Sequence, residues 1–144
     1  MISILFSVRQ WLRITLSLMY LCCIAVLSLL PPNDFPKLPL FPGADKIVHL
    51  IMYLGLVLLA CWAMHAEVKK KWYFIVTLFG ISWGVLMEVF QYIMHLGRSF
   101  EFYDIIANSI GALFGVLIFF LLARTKTRID FSNGKLEQDI SKGY

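Results

Sequence analysis

Charge is scarce in this chain. Asp, Glu, Lys and Arg together make up 15% of its 144 residues, against roughly 25% in an average soluble domain. With 60% apolar residues, that shortage argues against a conventional soluble fold. Cysteine is nearly absent: Cys22, Cys23 and Cys61 all fall inside apolar segments, and no C-x-x-C spacing occurs. This excludes a disulfide framework or a zinc knuckle and leaves the three thiols as small packing residues. Proline is confined to one stretch, "PPNDFPKLPLFP", so nothing elsewhere forbids long helices. The length allows one compact bundle and no second domain of ordinary size.

What remains is four apolar runs, over about 11–30, 45–65, 72–96 and 104–123, each near the 20 residues that cross a bilayer core. The predicted fold is all-α: a polytopic membrane protein, an antiparallel bundle of four transmembrane helices, with a domain over 1–123 and a polar, loosely ordered cytoplasmic tail over 124–144. The first run is long for a signal peptide and no A-x-A-like site follows it, so it is expected to be retained as a span. Net charge is +4, yet Lys and Arg cluster beside the runs. They are read as topology and headgroup signals, with no nucleic-acid partner implied. Arg9, Arg13, Lys69 to Lys71, Arg124, Lys126 and Arg128 fall on one side of a four-span chain. By the positive-inside rule that side, with both termini, is cytoplasmic. Gly80 and Gly84, and Ala107, Gly111 and Gly115, form small-xxx-small stripes suited to close helix packing in lipid. "GISWG" lacks the context of a dinucleotide fingerprint, and no serine nucleophile elbow is expected.

The polar residues are placed unevenly. Asp45, His49 and Tyr53 share a face of the second span at i, i+4 and i+8. Gly84, Glu88, Gln91 and His95 do so on the third, and Asp104, Asn108, Gly111 and Gly115 on the fourth. At 1.5 Å per residue, His49 and Tyr53 lie about 6 and 12 Å below Asp45, Glu88 about 10 Å below His95, and Asn108 about 6 Å below Asp104. All of them fall in the outer half of the membrane. Glu88 is the most costly member, because a carboxylate at that depth needs a partner. His49, Tyr53, Gln91, Asn108 and the outer-loop Arg98 are the candidates, Arg98 as a bidentate donor to Glu88 or Asp104. Interhelical hydrogen bonding alone is the plainer explanation, and Gln91 suits it best. A zinc site from His49, Glu88 and His95 lacks H-E-x-x-H spacing, so no metal and no cofactor is expected.

"DKIVHLIMY", then "EVFQ", then "RSFEFYDIIANSIGALFG" resemble the VanZ-like family of small bacterial membrane proteins. The match falls on Asp45, Lys46, His49, Tyr53, Glu88, Gln91, Arg98, Asp104, Asn108, Gly111 and Gly115, within a signature region over 43–115. Glu101 departs from a family pattern that often has Asp there. The resemblance implies a multi-pass protein of the bacterial cytoplasmic membrane whose namesake is linked to low-level resistance to the glycopeptide teicoplanin, and it supplies no reaction. Two accounts follow. In one, Asp45, Lys46, His49, Tyr53, Glu88, Gln91, Arg98, Asp104 and Asn108 form an outward-facing site for a lipid-linked precursor or anionic envelope ligand, among membrane lipids. In the other, Glu88 and His49 are acid and base of an intramembrane enzyme acting on a lipid-linked substrate.

Overall fold

The computed structural model describes residues 2–31, 42–64, 70–94 and 100–141. Every element among them is a helix: α1 (Ile2–Ser7), α2 (Gln10–Leu29), α3 (Ala44–Ala63), α4 (Lys70–Met94) and α5 (Phe102–Ser141). The last four are long and apolar enough to cross a membrane, and each keeps less than two-fifths of its most apolar stretch inside the protein. Leu18, Met19, Phe74, Leu113 and Phe114 are among the exposed apolar side chains. Such a surface is unfavourable in water and suited to hydrocarbon, and the chain is a multi-pass membrane protein.

Local chemistry sets the helix ends. α2 stops where Leu30 turns extended, with ψ of 140°, because the residue before a proline is driven out of the helical region. α3 starts from Gly43, whose φ of +86° is strained for any residue with a Cβ. The Gly43 carbonyl accepts from the amides of Lys46 at 3.1 Å and Ile47 at 3.4 Å. Asp45 then sits in the first turn, where the helix dipole favours a negative charge.

Two features differ from the sequence expectation. The segment over 124–141, predicted to be loosely ordered, continues α5 as one 40-residue helix. Adding a residue to an existing helix needs no new nucleation, and no proline interrupts the segment. The hydroxyls of Thr125 and Thr127 donate back to the carbonyls of Leu121 and Ala123. At 1.5 Å per residue the whole helix is about 60 Å long, twice the thickness of a hydrocarbon core. The second difference concerns thiols: Cys61 is buried as expected, whereas Cys22 and Cys23 are exposed on α2 and pack against no core.

α3 lies at the centre. Its lower half joins Val76, Ala112 and Phe119 through Val57, Cys61 and Trp62, and Tyr53 and Leu56 pack on Ile24 of α2. α5 approaches α3 so closely that a Cβ on Gly111 would stand 2.2 Å from the Leu50 carbonyl oxygen, and one on Gly115 2.5 Å from that of Leu54. A Cβ on Gly80 would meet Val57 at 2.6 Å. α2 is held by polar bonds to α3 backbone: Ser17 Oγ to Leu59 O at 3.0 Å and Tyr20 OH to Met52 O at 3.3 Å.

The basic end of the bundle has its own anchor. Arg13 is buried, donates from Nη1 to the Trp62 carbonyl at 2.9 Å and lies over the Trp62 ring. That carbonyl is in the last turn of α3, where a cation meets the negative end of the helix dipole. The Trp62 indole in turn donates to the Leu5 carbonyl of α1 at 2.8 Å. Replacing Arg13 with Met is expected to destabilise the bundle by about 1.5–3 kcal/mol, the usual worth of a hydrogen bond to a charged group. Helix content followed through a detergent-to-SDS titration measures it, and a curve overlying the wild type would reduce Arg13 to a topology signal.

Candidate functional site

At the opposite end from Arg13, three helices converge. α3 supplies Asp45, Lys46, His49 and Tyr53, α4 supplies Glu88, and α5 supplies Asp104 and Asn108. Tyr53, Glu88 and Asn108 are fully enclosed, at 0%, 0% and 1% exposure, while Asp45 and Glu101 are exposed. The cluster therefore has a wet rim and a dry floor.

At the rim, the Lys46 ammonium contacts three carboxylates: Asp45, Glu101 and, at 2.8 Å, Asp104 Oδ1. Glu101 lies just ahead of α5, and its carbonyl accepts from the Asp104 amide at 3.0 Å. The N-termini of α3 and α5 both point here, so their dipoles offset part of the repulsion among the acids. Below the rim, His49 Nδ1 meets Asn108 Oδ1 at 3.1 Å, and His49 Nε2 lies 3.7 Å from Asp104 Oδ2. An amide oxygen accepts only, so the ring donates from Nδ1 and points Nε2 toward the acids. Glu88 Oε2 accepts from the Glu101 amide at 3.2 Å. Glu88 Oε1, Tyr53 OH and Asn108 Nδ2 have no hydrogen-bond partner among the described residues. Gly84 makes room for this floor, since a Cβ there would lie 3.0 Å from Asn108 and 3.1 Å from the Tyr53 ring.

Of the residues predicted for the site, Asp45, Lys46, His49, Tyr53, Glu88, Asp104 and Asn108 are gathered. Gln91 is not: its Nε2 donates to the Ser28 carbonyl of α2 at 2.8 Å, a helix-to-helix tie. Arg98 and His95 lie outside the described residues. Glu101 had only its place beside the resemblance to suggest it, and it provides both a rim carboxylate and the amide on Glu88. The letters Gly80-Ile81-Ser82-Trp83-Gly84 spell G-x-S-x-G. They lie inside the continuous helix α4 with Ser82 exposed, not on the strained strand-to-helix turn a nucleophile elbow requires.

Two groups of donors are close enough to hold a cation. One atom each from His49, Glu88 and Asp104 lie within 4.8 Å of one another, as do atoms from Asp45, Glu101 and Asp104. Lys46 already fills the second group with its ammonium. Among the described residues the cluster holds four carboxylates, from Asp45, Glu88, Glu101 and Asp104, against a single ammonium.

No curated protein and no solved structure shows significant similarity to the chain. The family model described as VanZ/LLP1 matches residues 5–123, which takes in all four spans and every gathered site residue. The chain belongs to the VanZ/LLP1 family.

Proposed function

We propose that this protein binds the headgroup of an envelope lipid or lipid-linked molecule at the cluster on α3, α4 and α5, from the outer face of the bacterial cytoplasmic membrane. The observation that carries the reading is the gradient from exposed rim to enclosed floor at one end of the bundle, built from side chains of three helices. With Arg13, Lys71, Arg124 and Lys126 at the other end, the positive-inside rule puts that end and both termini in the cytoplasm. A site at the outer boundary reaches a headgroup while the apolar helix flanks take the acyl chain. The family's association with teicoplanin resistance supports an envelope ligand. The charge balance refines its chemistry. Among the described residues a purely anionic ligand would find only Lys46, already shared among three acids. A headgroup carrying hydroxyl or amine donors beside its phosphate can serve the carboxylates as well.

The test is a comparison of lipids that co-purify in mild detergent. A defined species enriched in the wild type should fall at least fivefold in Lys46→Ala and Asp104→Asn, and persist in Cys22→Ser. Identical lipid profiles in all four proteins would remove the reading.

A second reading is favoured by one specific contact. Asn108 Oδ1 holds the His49 ring through Nδ1 and leaves Nε2 facing Asp104, the orientation a general base needs. In an intramembrane enzyme His49 would take a proton and Glu88 return it. Incubating the protein with its co-purified lipid should then yield a product that Glu88→Gln does not form.

A further inference from the structure

We infer that His49, Glu88 and Asp104 form a binding site for a divalent transition-metal ion, with zinc as the best match to the donor set. One ligand comes from each of α3, α4 and α5, so the ion would join the three helices that build the cluster. An imidazole nitrogen with two carboxylate oxygens is a ligand combination zinc accepts readily, and three protein ligands leave a fourth position open.

Several independent features of the site agree. The three donors lie within 4.8 Å of one another, with His49 Nε2 and Asp104 Oδ2 at 3.7 Å. Bonds of about 2.1 Å in a tetrahedral arrangement need donors roughly 3.4 Å apart, so the side chains must draw in by about an ångström. His49 is oriented as metal-bound histidines are, its far nitrogen held by an oxygen acceptor, here Asn108 Oδ1 at 3.1 Å. Glu88 is 0% exposed, has Oε2 on a backbone amide, and leaves Oε1 unpartnered among the described residues. A carboxylate so placed inside a span calls for a cation. Asp104 divides its two oxygens, Oδ1 toward Lys46 and Oδ2 toward His49, so the rim lysine steadies a ligand without occupying the metal position. The Asp45, Glu101 and Asp104 group differs in that an ammonium already sits among its oxygens, and it is not assigned an ion.

The consequence for chemistry is a neutralised floor. A divalent ion would offset most of the carboxylate surplus among the described residues and offer its open position to a phosphate oxygen. That last step rests on the proposed headgroup binding; the metal site does not.

The experiment uses the full chain in detergent with any affinity tag removed, stripped with chelator and re-equilibrated with zinc, manganese or magnesium. Elemental analysis after dialysis is expected to find one zinc per chain, weaker retention of manganese and none of magnesium. Glu88→Gln and Asp104→Asn should lower zinc retention at least tenfold, with Cys22→Ser and Ser82→Ala unchanged. Cobalt substitution of the wild type keeps the test independent of variant folding. Visible d–d bands without thiolate charge transfer are expected, and thiolate bands or no bands would overturn the assignment. Zinc held equally by wild type and Glu88→Gln would also overturn it. Zinc retained by a wild-type protein whose lipid profile is the same as that of Lys46→Ala would count against the headgroup reading alone.

Discussion

Replacing Gly111 with Leu should abolish the assembled bundle. The atom a Cβ would meet at 2.2 Å is the Leu50 carbonyl oxygen, followed by that residue's carbonyl carbon at 3.0 Å and Cα at 3.1 Å. All are main chain in the middle of α3, so no side chain can swing aside. Overpacking a core costs about 1–3 kcal/mol where neighbours can adjust; where two helix backbones must part, the loss is greater, because van der Waals packing is what holds helices together in lipid. Gly111→Ala sets that clash against a gain of about 1 kcal/mol in helix propensity, and the clash should win. Gly134→Ala provides the control: it too lies in α5, but nothing stands within 4 Å of its Cβ. That change should stabilise by up to about 1 kcal/mol. Helix content and monodispersity through an SDS titration report all three variants. A Gly111→Leu protein that unfolds with the wild type would mean that α3 and α5 do not pack as described. Gly111 lies one turn from Asn108, so the alanine variant should also loosen the His49 contact.

The spans were legible because their signals are local. Apolar runs of membrane length stand between a proline-rich stretch and short polar segments, and the observed ends of α2, α3 and α4 fall within two residues of the expected ones. The extension of α5 was not, because a polar composition such as that of 124–141 describes solubility and says little about helix propagation. The site was half legible for a related reason. Spacing assigns residues to a face of their own helix, and that was enough for His49, Tyr53 and Asn108. It does not give the rotation of that helix against its neighbours. Gln91 shares a broad face with Glu88, yet three residues of further turn carry it to Ser28 on α2. Partnerships across the bundle were the least accessible. His49 and Asp104 are 55 positions apart, and their meeting follows from glycines that let α5 rest on α3. The carboxylate surplus becomes evident only once Glu101 is seen over Glu88.

Lys46→Met should be the most damaging change at the rim. It removes the one described cation from among Asp45, Glu101 and Asp104 while leaving the acids in place. Breaking a fully buried ion pair costs about 3–5 kcal/mol. Here the Lys46 side chain is 28% exposed and two of its partners are about half exposed, so water screens part of the loss, and about 2–3 kcal/mol is the expected effect. Most of it should come from Asp104, the enclosed partner. Asp104→Asn in the Lys46→Met background should therefore recover stability, whereas Asp104→Asn alone should lose it. Such opposite signs give a coupling of about 1 kcal/mol or more between two groups in contact. Salt separates the contributions further. At 1 M ionic strength the Debye length is about 3 Å, so the share from Asp45 and Glu101 should fade while that from Asp104 persists. Losses that simply add in the combination, at low and high salt alike, would show that Lys46 acts through the packing of its methylene stem and not through Asp104. A double variant as stable as wild type would show instead that the rim is held by charge and can dispense with it only as a pair.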